Sequence, residues 1–467
     1  MRTFRDFGRP LSLAVTMFAL SACGGSLGSS AALGLHAPSP EDKYGLLVGR
    51  HASGISKIQH VVIIIQENRS FDNLFQGFPG ADTQSYGYLS NGNKVNLGRI
   101  RFETTWDLDH SSTSFFEACN GKGSYPGTKC QMNGFDKEYV QCGQPSYPPC
   151  PIKHPQYAYV PAIETKPYFA MAAQYVLADR MFSSDFDASS FVAHQYLIAA
   201  QSSAAVNYPD SLAWGCYGGS TDTIPTVTLQ RRIDYAHRIR VCFDNQTLGD
   251  ELDGAGLSWR SYTSPIQGTG HLWNAYSAIN HIYYGPDWKK DVISPQTVFF
   301  NDVTSGNLPA VSWVTPTCAN SDHASCNSNT GPAWVASLVN AIGESQYWNS
   351  TAIFVTWDDY GGWYDHVPPK MLDYDGLGFR VPMLVISPYA KAGYVSHVHY
   401  ELSSILRFVE DRFGLGTLAA SDARAVSPAG DCFNFNQIPR KFKVIPSTLG
   451  KHYFIVQPPD LRPPDNQ

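Results

Sequence analysis

The sequence predicts an α/β fold with a largely parallel central sheet flanked by helices. Three short apolar runs rich in β-branched residues predict strands buried on both faces, at 58–65, 351–357 and 381–387. Helical patterns occur at 170–182, 191–200 and 400–413, and the last of these is amphipathic. Strands that alternate with helices are typical of parallel sheets, because a parallel crossover needs about a helix length of chain.

The rest of the chain is assigned by composition. Residues 80–160 are rich in Gly, Pro, Cys and Tyr and predict long ordered loops, and the Pro-rich residues 441–467 predict a C-terminal tail. The length of 467 residues allows two or three domains. No repeat or sharp change of composition divides residues 56–440, so these are predicted to form one domain.

The charge balance limits the kinds of molecule that the chain is expected to bind. The formal net charge is −6, and no run of Lys and Arg or basic aromatic stripe is present. A nucleic-acid groove is therefore not expected. An acidic chain that binds an anionic substrate needs local positive charge, and a bound metal ion is one compact source of it.

The N-terminus predicts export. Arg2, Arg5 and Arg9 precede a short apolar stretch and the small-residue site Ser21-Ala22-Cys23, so residues 1–22 are predicted to be a signal removed from the mature protein. Residues 20–23 resemble a bacterial lipobox, which predicts a lipidated Cys23 followed by a tether or linker at 23–55, in the periplasm or cell envelope. The alternative is a plain secretory signal with cleavage nearby.

The remaining nine cysteines suggest disulfides of an oxidising compartment, because most lie in polar loops. Pairing of sequence neighbours gives Cys119–Cys130, Cys142–Cys150, Cys216–Cys242 and Cys318–Cys326, with Cys432 free. A zinc cluster is the competing interpretation, but the chain has no C-x-x-C pair.

Polar side chains follow two of the predicted strands. Glu67 and Asn68 come after the first strand, and Asp358 and Asp359 come directly after the second. Ligands of open α/β sheets bind at the carboxyl ends of strands, and adjacent carboxylates repel one another unless a cation neutralises them. Oxygen ligands favour a hard divalent ion, although each acid could instead cap a helix or shape a turn.

At this point the residues carry a family resemblance. The run HVVIIIQENRSFDNLFQGFPGAD at 60–82 resembles the opening motif of a bacterial phosphoesterase family that includes phospholipases C and related acid phosphatases. Further segments resemble later family motifs in the same order, at 107–110, 278–288, 308–316, 321–323, 356–369, 379–390 and 400–415. An ordered set of motifs across about residues 56–440 is more specific than any one of them.

The resemblance implies an alkaline-phosphatase-like fold and a covalent phosphoryl-enzyme route. The family places a Ser or Thr nucleophile in a small-residue turn before a helix, with a His four residues later. Alignment on His194 puts Ser190 at the nucleophile. Ala188-Ser189 stands where the family has Gly-Pro, so Ser189 remains an alternative, and a helix cap is the structural interpretation of Ser190.

The resemblance also implies roles for the other site residues. One divalent metal ion of unknown identity would be held by Glu67, Asn68, Ser190, Asp358 and Asp359, and the catalytic histidines would be His110, His281 and His323. These histidines would hold phosphate oxygens or protonate the leaving group. Asp365-His366 would either belong to the site itself or hold the side chains of the site in position.

The predicted function is therefore hydrolysis of phosphoric esters. Phosphate monoesters are the favoured substrates, as in acid phosphatases, because family phospholipases commonly carry extra C-terminal β domains and this chain ends soon after the pattern at 400–413. The alternative is a phospholipase C that binds a phospholipid head group and cleaves a phosphodiester. A surface binding protein without turnover is the alternative from another class.

Overall fold

The computed structural model describes residues 53–211, 214–264 and 273–462. The predicted export signal at 1–22, Cys23 and most of the predicted tether lie outside the described residues. Within the described part of the chain, no helix combines the length and the apolar character needed to cross a bilayer.

The central sheet is mixed and mostly parallel. In spatial order its strands are β10 (Val292–Ile293), β9 (Trp259–Tyr262), β11 (Val311–Val314), β1 (His60–Gln66), β12 (Thr351–Trp357), β13 (Arg380–Ile386), β6 (Val176–Phe182) and β14 (Tyr394–Ser396), with β15 (Tyr400–Glu401) also paired to β6. Only β13 among these described strands runs antiparallel to its neighbours β12 and β6. The predicted α/β class with a largely parallel sheet is confirmed.

Strands β1 and β12 form the middle of the sheet and lie parallel along their whole length, from His60 opposite Thr351 to Gln66 opposite Trp357. Every residue of β12 is buried, and so are all residues of β1 after His60. Such strands need apolar side chains on both faces, which explains their continuous β-branched runs. The strands predicted at 58–65, 351–357 and 381–387 are confirmed to within two residues.

One sequence prediction is wrong. The pattern at 170–182 was expected to form one helix, but the helix Lys166–Gln174 ends before it, and Val176–Phe182 is strand β6. A short buried apolar run fits a helix or a strand equally well by periodicity alone. Pairing with β13 and β14 decides the outcome, because it gives the buried backbone groups of this run their hydrogen bonds.

Twelve α-helices lie within the described residues, numbered α1 to α12 in chain order: Phe71–Phe75, Ser112–Cys119, Lys166–Gln174, Ser190–Tyr196, Leu248–Gly254, Asn280–Tyr283, Asp287–Lys290, Val298–Ser305, Gly331–Gly343, Ser403–Phe413, Ala420–Arg424 and Lys451–Val456. Helix α9 packs against α3, α8, α12 and strand β12, whereas α10 packs against α11 and β15. The Phe354 ring of β12 meets the Phe408 ring of α10 at 4.9 Å. The sheet is thus flanked by helices, as predicted.

The loops are long and are cross-linked as the sequence predicts. The four disulfides pair the expected cysteines, and Cys432 is a buried free thiol. Six short strands form three small sheets in these loops: β2 (Tyr86–Tyr88) with β3 (Lys94–Asn96), β4 (Gly98–Arg99) with β5 (Ala158–Tyr159), and β7 (Thr223–Val227) with β8 (Ile233–Arg240). The predicted tail at 441–467 contains α12, whose Phe454 packs on Trp334.

Candidate functional site

The two polar strand ends meet. Because β1 and β12 are adjacent and parallel, Glu67 and Asp358 follow them side by side. The backbone N–H of Asn68 donates to Asp358 Oδ1 at 3.1 Å, with Asn68 in the left-handed region at φ 60°. A side chain at Gly361 would place its Cβ 2.2 Å from the Asn68 carbonyl oxygen, so only glycine allows this close approach.

Ser190 joins this cluster from helix α4. The Asn68 side-chain amide lies 3.4 Å from Ser190 Oγ and donates to Asp359 Oδ2 at 3.2 Å. The other oxygen of Asp359 accepts from the N–H of Gly361. Helix α4 begins at Ser190, and its N-cap is Ser189, so the hydroxyl of Ser190 is not a cap. The structure therefore brings together Glu67, Asn68, Ser190, Asp358 and Asp359.

His194 is the site residue whose contacts the sequence did not predict. Its Nε2 lies 3.0 Å from Glu67 Oε1 and 3.6 Å from Asp358 Oδ2. Residues four apart share one face of a helix, so the spacing from Ser190 to His194 was the available signal. Burial alone would lower the pKa of His194, but the carboxylates of Glu67 and Asp358 raise it to about 10.

The donor set fits a divalent cation. Glu67 Oε2, Asn68 Oδ1 and Asp358 Oδ2 are buried without a hydrogen-bond partner among the residues that the structure describes. Buried polar atoms are normally satisfied, so three such oxygens on one cluster need a further partner. Burial and the neighbouring carboxylate of Asp358 raise the pKa of Glu67 well above its usual value, which a cation would reverse.

His110 borders the cluster with a defined orientation. Its Nδ1 lies 2.8 Å from the carbonyl oxygen of Leu108, an acceptor, so Nδ1 carries the proton and donates. Its Nε2 then accepts from the Asn68 side-chain amide at 2.8 Å. His110 is fully buried. This contact holds the Asn68 amide in the orientation that faces Ser190.

His323 stands beside His110, with ring centroids 6.0 Å apart. Its Nδ1 lies 3.2 Å from Ser325 Oγ and 3.7 Å from Asp107 Oδ2. Its Nε2 is buried and makes no hydrogen bond within the described residues. His323 thus presents one open nitrogen at this side of the site, while its other nitrogen faces a hydroxyl and a carboxylate.

His281 does not lie in the cluster, which corrects the prediction for this residue. Its Nδ1 lies 2.7 Å from Asp244 Oδ1, and its Nε2 lies 2.9 Å from Asp250 Oδ1. The side chain is 39% exposed. Both ring nitrogens are therefore held by surface carboxylates, and none is left for a phosphate oxygen.

Asp365 and His366 support the fold beside the site. Buried Arg380 donates through Nε to both oxygens of Asp365 and through Nη2 to Asp72. His366 lies 2.6 Å from Asp72 and 3.1 Å from Asp82. Although Asp72, Asp365 and His366 are close enough to bind a metal ion, the guanidinium of Arg380 already supplies their positive charge.

A cavity of about 640 Å³ adjoins the segments that carry His110 and Ser190. Asp109 and Ser111 line it on either side of His110, and Asn207 lines it where its carbonyl oxygen accepts from Ser189 Oγ. Tyrosine rings and one ion pair complete much of the wall: Tyr139, Tyr208, Tyr235 and Arg238–Asp210. The Arg238 charge is paired, so the wall suits a neutral or cationic organic group more than an anionic one.

The chain is similar to several known proteins. Phospholipase C B of Mycobacterium tuberculosis is 26% identical over 89% of this chain and 84% of its own length. The non-hemolytic phospholipase C of Burkholderia pseudomallei is 24% identical over 90% of this chain and 65% of its own length. The solved structure of a Vibrio parahaemolyticus protein, described as a member of the alkaline phosphatase superfamily, aligns over 77% of this chain and 67% of its own. The identity is 10% and the TM-score is 0.35.

The family assignment rests on a family model. The model described as the phosphoesterase family matches residues 58–416, from the strand that precedes Glu67 to the end of helix α10. This range is most of the chain and contains all the residues of the cluster. The chain belongs to the phosphoesterase family.

Proposed function

We propose that the chain is a metal-dependent phospholipase C that cleaves the phosphodiester of a phospholipid through a phosphoryl group carried on Ser190. The observation that carries this proposal is that Asn68 contacts Ser190 Oγ and both carboxylates that follow β12. Family membership makes the chain a phosphoric ester hydrolase. The serine route and the substrate are the parts proposed here.

The metal would be held by the oxygen ligands of the cluster: Glu67, Asn68, Ser190, Asp358 and Asp359. A divalent ion bound there lowers the pKa of a coordinated hydroxyl and offsets negative charge on the phosphoryl oxygens. The unsatisfied oxygens of Glu67, Asn68 and Asp358 support this assignment. His194 contacts two of these carboxylates, Glu67 and Asp358, and would orient them.

The reaction then has two displacements at phosphorus. Ser190 Oγ loses its proton and forms a bond to phosphorus as the bond to the leaving-group oxygen breaks, and that oxygen takes a proton, so the net proton transfer is from the serine hydroxyl to the released alcohol. Water next attacks phosphorus, the bond to Ser190 Oγ breaks, and the hydroxyl is restored. His323 Nε2 is suited to supply the first proton, because it makes no hydrogen bond within the described residues and its ring lies 6.0 Å from that of His110. His110 instead keeps the Asn68 amide directed at Ser190.

The relatives and the cavity both favour a phospholipid as the substrate. The sequence alone favours monoesters, whereas the relatives named above are phospholipases C, which moves the preferred substrate to a phospholipid diester. The cavity gives the head group a place beside Asp109 and Ser111, which flank His110, and beside Asn207, which contacts Ser189. Its tyrosine and carboxylate lining fits a head group without net negative charge.

A substrate panel tests this proposal. The purified protein is assayed with p-nitrophenyl phosphorylcholine and p-nitrophenyl phosphate, with and without a chelator, beside Ser190→Ala and Ser189→Ala. We expect the diester to be preferred, the chelator to abolish turnover, and Ser190→Ala to lose activity by orders of magnitude more than Ser189→Ala. Preference for the monoester would replace the phospholipase by an acid phosphatase, and no turnover of either would support a binding protein.

A further inference from the structure

The turn that carries Ser190 is held in an unusual way. Residues 187–189 precede helix α4, and Ala188-Ser189 replaces the Gly-Pro expected from the family resemblance. A proline restricts the backbone of such a turn by itself, whereas Ala and Ser do not. A nucleophile on this turn therefore needs another source of rigidity.

Asp187 bonds to Ser189 within the turn and to residues outside it. Its Oδ1 accepts from the backbone N–H of Ser189 at 3.3 Å, and its Oδ2 lies 3.2 Å from Ser189 Oγ. Oδ2 also accepts from the backbone N–H of Asn207. Asp187 is 1% exposed, and no ion pair to it is present among the described residues. The groups that hold the carboxylate are uncharged N–H and O–H donors. Hydrogen bonds, rather than an ion pair, therefore fix its position.

The same carboxylate reaches the loop of His110. Ser112, two residues after His110, places its Oγ 2.8 Å from Asp187 Oδ1. Ser112 also meets Asn207, through its backbone N–H at 3.1 Å and its Oγ at 2.7 Å from Asn207 Oδ1. The nucleophile turn, the His110 loop and Asn207 are thus joined at one buried group.

We propose that Asp187 is a positioning residue that fixes the Ser190 turn against the His110 loop through Ser112 and Asn207. This inference rests on the proposed function of Ser190. Asn68 contacts both His110 Nε2 and Ser190 Oγ, so a shift between the two segments would change both contacts at once. A displacement of about 1 Å at a reacting group can cost about 100-fold in rate.

The test compares Asp187→Ala and Asp187→Asn with Asp185→Asn. Asp185 lies on the same segment and is 2% exposed; its described side-chain hydrogen bond is with Ser183, and it affects Asp187 through charge rather than through a hydrogen bond. Turnover of p-nitrophenyl phosphorylcholine gives kcat and KM, and thermal unfolding gives stability. Hydrogen exchange of the Ser189 and Asn207 amides reports on the turn independently of activity.

We expect Asp187→Ala to lower kcat by about 100-fold with KM within about three-fold of the unmodified chain. Asp187→Asn should lose less, because its amide oxygen can still accept from Ser112 Oγ. Both should speed exchange of the two amides, whereas Asp185→Asn should change neither kcat nor exchange. In a double-mutant cycle, Ser112→Ala should cost less in the Asp187→Ala background than alone, because alanine has no oxygen to accept from Ser112 Oγ.

The inference is overturned if kcat stays within about three-fold in both Asp187 variants while Ser190→Ala is inactive. It is also overturned if Asp185→Asn matches Asp187→Asn in kcat, since the effect would then be one of general stability. Should Asp187→Ala fail to fold, kcat and the exchange of the Ser189 and Asn207 amides in Asp187→Asn still decide. Activity retained in Ser190→Ala would instead contradict the proposed function.

Discussion

The side-chain amide of Asn68 lies 3.4 Å from the hydroxyl oxygen of Ser190, although 122 residues separate the two in sequence. The contact joins the end of strand β1 to the start of helix α4. The same amide reaches His110 and Asp359. Asn68 is thus the residue through which the turn that carries Ser190, the His110 loop and the β12 strand end meet.

Asn68 contributes a side-chain amide that faces Ser190 and a backbone in the left-handed region, and two substitutions separate these contributions. Asn68→Gly and Asn68→Ala should each lower kcat by about 100-fold or more, because both lose the amide that faces Ser190. Their stabilities should differ, since φ at residue 68 is 60°. Glycine adopts this conformation freely, whereas alanine is strained by about 1–2 kcal/mol.

Denaturant unfolding and steady-state kinetics of the pair check both parts. Equal stability of the two variants would contradict the backbone argument. Near-normal kcat in Asn68→Gly would contradict the role of the amide.

A bound cation should stabilise the folded chain. The unsatisfied oxygens of Glu67, Asn68 and Asp358 gain a partner only in the folded state. Saturation at 100 times the dissociation constant is expected to add about 2.7 kcal/mol to the free energy of unfolding. Thermal unfolding after chelation, with Mg²⁺, Mn²⁺, Ca²⁺ or Zn²⁺ returned singly, measures this shift.

Asp358→Asn should abolish that stabilisation. Asp253→Asn is the matched control, because Asp253 belongs to a separate acidic group with Asp287 and Asp291. If the cation still stabilises Asp358→Asn but no longer stabilises Asp253→Asn, the ion binds at the acidic group of Asp253 and the proposed site is contradicted.

The protonation role of His323 depends on the leaving group. His323→Gln should lower kcat by about 100-fold or more for substrates with alkoxide leaving groups, which need a proton. The loss should be much smaller for p-nitrophenyl esters, whose leaving group is stable as an anion. His281→Gln should leave both rates unchanged, because His281 is bonded to Asp244 and Asp250. An equal loss with both leaving groups would show that His323 does not donate the proton.

Glu410 on helix α10 predicts a pH dependence of stability. It is 1% exposed, and burial together with the nearby carboxylate of Asp422 raises its pKa to about 10. Between about pH 4.5, where the unfolded chain ionises, and about pH 10, the folded state binds more protons. The free energy of unfolding should therefore fall as pH rises, by up to about 1.4 kcal/mol per pH unit from this group.

Glu410→Gln removes that dependence because its side chain does not titrate. Urea unfolding is measured at several pH values between about 6 and 8. The free energy of unfolding of Glu410→Gln should increase relative to that of the unmodified chain as pH rises. Glu344→Gln, at an exposed position, serves as the control. A constant difference between Glu410→Gln and the unmodified chain across this range would contradict the assignment.

The fold was predictable where burial leaves a pattern in sequence. The runs that became β1 and β12 are apolar on both faces, and their polar ends identified Glu67 and Asp358. The antiparallel direction of β13 was not predictable, because a buried strand has the same composition in either direction. Residues 176–182 were misassigned because helix α3 leads into β6 without a turn signal in sequence.

The site was predictable only in part. Motif order located Ser190, His110 and His323, all of which are buried near Asn68 or one another. It also suggested His281, but no motif reveals that two surface carboxylates hold that ring. The Asp187 contacts depend on Ser112 and Asn207, which are 75 residues before it and 20 residues after it. Sequence spacing alone does not bring such residues together.

The stereochemical course at phosphorus tests the central claim most directly. A phosphodiester substrate made chiral at phosphorus by sulfur in place of one non-bridging oxygen is hydrolysed in water labelled with an oxygen isotope, and the configuration of the product is determined. Each in-line displacement inverts phosphorus, so transfer to Ser190 and then to water predicts overall retention. Overall inversion would mean that water attacks the substrate directly, and it would contradict a phosphoryl group carried on Ser190.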